Sequence, residues 1–299
     1  MEGYDYDAAA RTVEIEHITS DATNREILRR LKANDPTFTK LQVGNTRDDD
    51  KCFCPGGARE LGWLGYYIGK NTALKEFHLS SDPFRGFSHN AIDQFCRGMN
   101  SNRSIQKIVF YSMNLSGGEI FQSLRPFFED NNNISHLAVN GCQFGAGCAR
   151  QIALALRGCN RSLKHIELVF NEMGGEQLLD IIEALSAHPQ LEKLELVRGD
   201  IGRNECTALA NLLRRAELQE LNLSGNDIDD EGVDALVGAL TNSRLQWLSL
   251  SSNNITARGC QSLAAMLERT NSNLETLRLV SNNIGNEGAH IFANALATN

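Results

Sequence analysis

The sequence contains no run of apolar residues close to the roughly 20 that a membrane-spanning helix requires. It also lacks an excess of basic charge, because 29 Lys and Arg stand against 37 Asp and Glu, for a formal net charge of −8. Proteins that bind nucleic acid generally need a basic surface. These two absences predict a protein that neither spans a membrane nor binds nucleic acid.

The N-terminal residues lack the features of a secretory signal. The first seven residues are Met-Glu-Gly-Tyr-Asp-Tyr-Asp, and the acidic character continues through residue 24. A signal peptide instead begins with basic residues and continues into an apolar stretch. We therefore expect a cytoplasmic protein, and we expect its eight cysteines to be free thiols.

Sequence motifs of catalysis and metal binding are missing as well. The chain contains no Gly-rich phosphate-binding loop, no nucleophile elbow and no metalloprotease helix. Cys52 and Cys54 are closely spaced, but no second Cys or His pair flanks them as a zinc site would require. We expect no enzymatic activity, no cofactor and no metal.

What the sequence does contain is an internal repeat. Its clearest copy runs from Leu245 to Ile255, with apolar residues at offsets 0, 3, 5 and 10 from the first leucine and asparagine at offset 8. The same pattern begins at seven other positions spaced 27 to 31 residues apart: Leu74, Ile105, Ile134, Leu163, Leu191, Leu218 and Leu274. A degenerate copy begins at Phe38. A repeat of this period predicts a solenoid, in which each unit packs against its neighbours.

This pattern resembles that of the leucine-rich repeat family, and its period resembles the ribonuclease-inhibitor-like branch of that family. Such proteins form an α/β horseshoe with a parallel sheet on the concave face and helices on the convex face. The dimensions of strands and helices support this shape. Parallel strands lie about 4.8 Å apart whereas helices are about 10 Å wide, so a stack with one strand and one helix per repeat curves with its strands on the concave side. Strand–helix–strand crossovers are almost always right-handed. We therefore expect a right-handed solenoid of about nine strands.

The predicted organisation has three parts. Residues 1–19 are expected to form an acidic N-terminal tail outside the core. Residues 20–37 are expected to form a capping helix, begun by Ser20 or Asp21. Residues 38–299 are expected to form the repeat domain of about nine repeats, the first of them degenerate with a loop-like insertion at 47–57. Where the asparagine at offset 8 is replaced, we expect irregular turns; these positions are Asp82, Met113 and Gly199.

The C-terminal repeat ends in a helical half, and no polar capping unit follows it in this sequence. The last strand would then present a free sheet edge, and Ile291, Phe292 and Leu296 would lack a following repeat. We expect either a fragment of a longer protein, which we favour, or association of two chains through this end.

Candidate functional residues lie where strand side chains project away from the core. Side chains alternate along a strand, so offsets 2, 4 and 6 face the concave side. Contiguous exposed apolar surface there commonly marks a partner site, although single exposed apolar residues carry no function. The predicted partner-binding residues are Tyr111, Val169, Phe170, Val197, Trp247, Lys107, His136, His165, Glu167, Lys193, Glu195 and Arg198.

Two alternative functions, metal binding and catalysis, involve residues of the same concave side. His136 and His165 with Glu167 could bind a metal or respond to pH, and Glu167 with Glu195 has the composition of a catalytic carboxylate pair. Solvated side chains are the favoured interpretation of both, because an open face neither excludes water nor shifts a pKa strongly.

We therefore expect a protein-interaction scaffold or sensor module that binds a protein or peptide on its concave face. The family resemblance also implies an alternative, a GTPase-activating regulator of a small GTPase. No motif of such regulators can be assigned residue by residue in this sequence. A GTP hydrolysis assay separates the two functions, because only the regulator raises turnover.

Overall fold

The structure is a computed structural model that describes residues 4–44, 52–159, 162–171, 173, 175–241, 243–269 and 273–298. Within these residues ten strands form one sheet, and all pairings are parallel. The strands are β1 (Lys40–Val43), β2 (Cys52–Phe53), β3 (Glu76–Ser80), β4 (Lys107–Tyr111), β5 (His136–Asn140), β6 (His165–Val169), β7 (Lys193–Val197), β8 (Glu220–Asn222), β9 (Trp247–Ser249) and β10 (Thr276–Arg278). From β3 to β10, neighbours in the sheet follow the order of the chain.

Helices alternate with these strands and form the second layer. They are α1 (Tyr6–Ala9), α2 (Ala22–Lys32), α3 (Ala58–Lys70), α4 (His89–Met99), α5 (Glu119–Ser123), α6 (Arg125–Asp130), α7 (Ala146–Gly158), α8 (Gly175–Leu185), α9 (Arg203–Leu213), α10 (Asp230–Leu240), α11 (Ala257–Leu267) and α12 (Gly285–Thr298). One parallel sheet with helices between successive strands confirms the predicted α/β solenoid. None of these helices is long and apolar enough to cross a membrane, as far as the chain is described.

The core lies between the two layers and is built from the repeat itself. Leu218, Leu221 and Leu223, at offsets 0, 3 and 5, are at most 1% exposed. Because strand side chains alternate, offsets 3 and 5 point to the same side of the sheet and meet the apolar side of the helices. The sequence pattern therefore predicted the buried face of each strand correctly.

The asparagines at offset 8 connect successive repeats through hydrogen bonds to backbone groups. The side-chain amide of Asn226 donates to the carbonyl oxygens of Leu196 and Leu223, both at 2.8 Å. Its Oδ1 accepts a hydrogen bond from the N–H of Gly199 at 2.8 Å. One side chain thus satisfies backbone groups of two turns that would otherwise be buried without partners. Equivalent bonds to two carbonyl groups are made by Asn253 and Asn282.

A second asparagine row, which the sequence analysis missed, precedes several strands on the core side. Asn102 donates to the carbonyl oxygens of Ile68 and Asn71 at 2.7 and 2.8 Å. Its Oδ1 accepts from the backbone N–H groups of Ser104 and Ile105. Related bonds at the same position of neighbouring repeats are made by Asn71 and Asn131. This row fastens the end of each helical segment to the next strand.

The residue at offset 7 has a left-handed backbone in all eight regular copies. These residues are Ser81, Ser112, Gly141, Phe170, Arg198, Gly225, Ser252 and Ser281. Of the three turns predicted to be irregular, two depart from the common turn conformation. Asp82 and Asp200 add a second left-handed residue to two of them, and the turn at Met113 extends instead into an isolated parallel bridge between Asn114 and Gln143.

The prediction that residues 1–19 stay outside the core is wrong for the part that is described. Ile15 and Ile18 are only 5% and 6% exposed, and Tyr6 packs on Trp63 with ring centroids 5.0 Å apart. The acidic charge does not hold this segment in solvent, because Asp7, for example, lies 3.0 Å from the Lys70 ammonium group.

Helix α2 forms as predicted and covers the first repeat. Asp21 caps it by accepting from the N–H of Asn24 at 2.9 Å. Its buried apolar side chains are Ile27, Leu28 and Leu31. The boundary at residue 37 stays a prediction.

The insertion predicted at 47–57 as a loop is only partly described, since residues 47–51 lie outside the described residues. Its described part corrects the prediction: Cys52 and Phe53 form β2, which pairs in parallel with β1. Both side chains are buried, so burial of two apolar residues at the sheet edge explains a tenth strand where about nine were expected.

At the other end, Leu277 and Leu279 of the last repeat are only partly buried, unlike the equivalent Leu248 and Leu250. Val280 and Leu296 are exposed. Association of two chains through this end stays a prediction.

Candidate protein-binding face

The parallel register places the predicted partner-binding residues in rows across the concave face, defined here as the side chains at offsets 2, 4 and 6 of β3 to β10. Lys107, His136, His165 and Lys193 are successive partners in one row. Glu167 and Glu195 are partners in the second row. The third row contains Tyr111, Asn140, Val169 and Val197. Nine of the predicted residues are thereby brought together on the four neighbouring strands β4 to β7.

The most closely packed polar group of this face is formed by His136 and Glu167. Glu167 Oε1 lies 2.8 Å from His136 Nε2, and Asn140 Nδ2 donates to Glu167 Oε2 at 3.3 Å. The hydrogen bond with His136 is the main reason that the pKa of Glu167 falls to about 2. Glu167 is therefore a carboxylate at neutral pH and is already engaged within the protein.

His165 continues this group toward the next strand. Its ring lies edge-on to that of His136, with centroids 5.2 Å apart, and its Nε2 lies 3.8 Å from Glu192. Burial, followed by the charge of His136, lowers the pKa of His165. The two imidazoles therefore face each other across adjacent strands.

Lys193 joins two carboxylates of the same face. Its ammonium group lies 2.9 Å from Glu195 and 3.2 Å from Glu220. The hydrogen bond with Glu195 is the main reason that the pKa of Lys193 is raised. Together with the bond between Glu76 and His78 at 3.3 Å, these contacts pair each glutamate of the concave rows with a histidine or lysine.

The apolar part of the face lies at the carboxyl ends of the strands. Tyr111 is 56% exposed and Phe170 is 55% exposed, whereas Val169 and Val197 are half-buried. The guanidinium carbon of Arg198 lies 4.9 Å from the centre of the Phe170 ring, which is cation–π geometry. Both Phe170 and Arg198 have φ angles near +55°, at 57° and 55°. A left-handed backbone costs a non-glycine residue on the order of 1 kcal/mol.

Gly141 directly follows β5, the strand that lies between β4, which contains Tyr111, and β6, which precedes Phe170. A Cβ built on Gly141 would meet no atom nearer than the hydroxyl oxygen of Ser112 at 3.7 Å. Tyr111 and Phe170 therefore lie on the two sides of the end of β5, where Asn140 and Gly141 leave space above the Gly141 backbone. We call these four residues the aromatic slot. Since it spans two strand spacings, its width is about 10 Å.

Trp247 lies apart from this cluster. It belongs to β9, three strands from β6, which corresponds to about 14 Å along the sheet. Arg278 of the next strand stacks on it, with its guanidinium carbon 5.4 Å from the ring centre. Trp247 thus forms a separate aromatic–arginine pair.

Several contributing residues escaped sequence reasoning: Asn140, Gly141, Glu220 and Arg278. Glu220 is at offset 2 and Arg278 is at offset 4. Their spacing in the repeat therefore predicted that both side chains lie on the concave side. The importance of Gly141 depends on its neighbours in space, for which the sequence contains no signal. A cleft of about 930 Å³ between α4 and α5 was also missed. It contains none of the predicted residues.

In the described residues no group of three or more His, Cys, Asp or Glu is arranged to hold a metal ion. No disulfide joins the cysteines of the described residues, and burial raises the pKa of Cys148 and of Cys206 to about 12, which makes these two thiols unreactive. The concave face offers charged hydrogen-bonding groups beside exposed aromatic rings.

Comparison with known proteins agrees with the fold. A sequence profile described as "Leucine Rich repeat" matches residues 218–237, 241–264 and 270–290. No curated protein sequence matches the chain significantly.

The solved structures found to be similar share less than 20% sequence identity with this chain. An internalin of Listeria monocytogenes is 13% identical, with a TM-score of 0.42 and coverage of 95% of this chain and 94% of the internalin. A Bacteroides fragilis protein is 11% identical, with a TM-score of 0.44 and coverage of 96% and 76%. The tropomodulin C-terminal domain of Caenorhabditis elegans is 19% identical, with a TM-score of 0.41 and coverage of 50% and 92%.

The ribonuclease-inhibitor-like branch predicted from the repeat length stays a prediction. The internal repeat, the single parallel sheet with alternating helices and the matched segments agree on the wider family. This chain thus has the repeat pattern and the fold of leucine-rich repeat proteins, and residues 218–290 contain the segments that match the profile of that family.

Proposed function

We propose that this protein is an interaction scaffold that binds a protein or peptide on its concave face, centred on Tyr111 and Phe170. The exposure of these two rings is the observation that carries the proposal. Neither ring contributes to the core between sheet and helices, so the solenoid does not need an aromatic residue at either position. Exposed aromatic residues with a polar surround are typical of interface hot spots.

The surrounding charges support the same proposal. Glu167 and Lys193 are held in place by hydrogen bonds within the protein. Groups that are already oriented lose less conformational entropy when a partner binds. Val169 and Val197, half-buried between these groups and the aromatic rings, extend the apolar surface.

The test is a double substitution, Tyr111→Ala with Phe170→Ala. Affinity capture from the native lysate, followed by mass spectrometry, identifies proteins that the unaltered chain retains. We expect the double variant to bind such a partner roughly tenfold more weakly, because one hot-spot residue commonly contributes about 2 kcal/mol. Its melting temperature should move little, because both rings lie outside the core.

A control variant removes two exposed side chains from the convex helices. Arg157→Ala with Glu183→Ala leaves the net charge unchanged and removes a solvent-exposed ion pair. We expect this variant to keep full binding. Loss of binding in the control, with retention in the Tyr111 and Phe170 variant, would place the partner on the helices and refute the proposal.

No arrangement in the described residues favours the GTPase-activating alternative, which stays a prediction. GTP hydrolysis measured against a panel of small GTPases tests it. The proposed scaffold leaves turnover unchanged, whereas a regulator raises it by orders of magnitude.

A further inference from the structure

Phe170 and Arg198 differ from the other residues at their position of the repeat. The left-handed residue at offset 7 is glycine or serine in the other six regular copies, and only these two copies have a bulky residue there. Strained backbone positions of bulky residues persist where the surrounding structure holds them, and they are concentrated at binding and catalytic sites. The two residues are in neighbouring repeats and touch each other.

Arg198 is held in place without a carboxylate partner. Its guanidinium group stacks on Phe170, and none of the carboxylates in the described part of the chain lies within 4.0 Å of it. The glutamates of the concave rows cannot serve, because each already pairs with a histidine or lysine. Stacking occupies a face of the planar guanidinium group and leaves its N–H edges directed away from the ring.

The aromatic slot lies directly beside this arginine. Phe170 belongs to both features, because its ring contacts Arg198 and it is one of the four residues of the aromatic slot. A partner residue in the slot would therefore lie within one or two residues of a group bound to Arg198.

We propose that Arg198 and the aromatic slot together bind an acidic peptide segment of a partner protein. A carboxylate of the segment accepts two hydrogen bonds from the guanidinium edge of Arg198. A neighbouring large apolar side chain fills the slot between Tyr111 and Phe170. This inference rests on the proposed function of the concave face and adds the chemistry of the partner.

The negative charge of Asp200 allows the sign of the partner's charge to be tested. It follows Arg198 by two residues, is exposed and forms no ion pair with any cation among the described residues. A carboxylate bound at Arg198 is repelled by Asp200, whereas a basic segment would be attracted to it. Neutralising Asp200 therefore changes affinity in opposite directions for the two kinds of partner.

The experiment selects peptides from a random display library on the immobilised full chain, after depletion on the Tyr111→Ala, Phe170→Ala variant. We expect the selected peptides to carry Asp or Glu beside an aromatic or large aliphatic residue. Selection of basic peptides that still require Tyr111 and Phe170 overturns the inference and leaves the proposed function standing. Selection of no peptide that depends on those two residues contradicts the proposed function itself.

Affinity measurements on one selected peptide complete the test. Arg198→Gln should weaken binding roughly tenfold, as expected for loss of a charge-assisted hydrogen-bonded pair. Asp200→Asn should strengthen it by about threefold at low salt, because a like charge is removed. The control Arg215→Gln makes the same charge change beyond the end of α9, and binding should stay as it is. Equal weakening by Arg198→Gln and Arg215→Gln, or weaker binding by Asp200→Asn, overturns the inference.

Discussion

Two regions of the same solenoid differ in how closely they follow the repeat. The regular repeats, residues 218–284, have asparagine at offset 8 in every copy and serine at the carboxyl ends of two of their three strands, Ser224 and Ser251, with Val280 at the third. The divergent repeats, residues 105–201, have lost that asparagine in three of four copies, and Tyr111 and Phe170 stand exposed at their strand ends.

The difference indicates that stability and binding are distributed unequally along the chain. Asparagine amides connect the regular repeats through buried backbone hydrogen bonds. In the divergent repeats, positions that elsewhere are occupied by Gly or Ser instead have Phe170 and Arg198, at a cost in backbone strain. Binding residues are thus expected where the repeat departs from its own consensus.

The largest expected effect on stability is that of Asn226→Ala in the regular repeats. The change removes the hydrogen bonds of Asn226 to the buried backbone groups of Leu196 and Gly199, whereas the Leu223 carbonyl keeps its bond from Asn253. We expect the free energy of unfolding to fall by about 2 to 4 kcal/mol, measured by urea denaturation. Asn222→Ala, on the half-buried concave side of the same repeat, should cost under about 1 kcal/mol. Equal losses would show that the asparagine row does not hold the regular repeats together.

A smaller effect is expected at Glu167 in the divergent repeats. Its pKa in the folded protein is lowered to about 2, mainly by the hydrogen bond with His136. The resulting stability is present above the pKa of the unfolded chain, about 4.5, and is lost as the pH falls toward about 2. Because this carboxylate is partly exposed to solvent, we expect Glu167→Gln to cost about 1 kcal/mol at pH 7.

The pH series is the measurement that checks this linkage. The difference in unfolding free energy between the unaltered chain and Glu167→Gln should be constant above about pH 5 and shrink toward pH 2. Glu275→Gln, at an exposed position before β10, should show little difference throughout. A Glu167→Gln difference that grows as the pH falls would contradict the assigned hydrogen bond.

The smallest expected effect concerns backbone strain at Phe170. Glycine adopts a left-handed backbone freely, so Phe170→Gly should be more stable than Phe170→Ala by about 1 kcal/mol. At the neighbouring Val169, in the extended strand β6, the order should reverse, because glycine weakens a strand. Thermal denaturation of the four variants measures both differences. The same order at both positions would mean that Phe170 is not strained.

The fold could be predicted from the sequence because the same spacing of apolar residues occurs in eight regular copies of the repeat. Leu218, Leu221 and Leu223 had to share one side of a strand for geometrical reasons alone, and the other copies confirm that assignment. The exposure of Tyr111, at offset 6, followed from the same alternation of side chains.

Other features depend on contacts that no local pattern specifies. The segment before α2 packs on α3 because Gly62 leaves room for the Tyr6 hydroxyl, to which a Cβ at residue 62 would come within 2.0 Å. The left-handed backbone of Phe170 cannot be inferred from a phenylalanine, a residue that seldom adopts it. The pairing of Glu167 with His136 required the register of two strands and the rotamers of both side chains.

Hydrogen exchange of backbone amides, with and without a captured partner or selected peptide, tests the central claim most directly. The account predicts slower exchange in the turns after β4, β5, β6 and β7, with little change after β8 and β9. Slower exchange confined to α7, α8 and α9, or to the regular repeats, would contradict the claim that the divergent part of the concave face is the binding site.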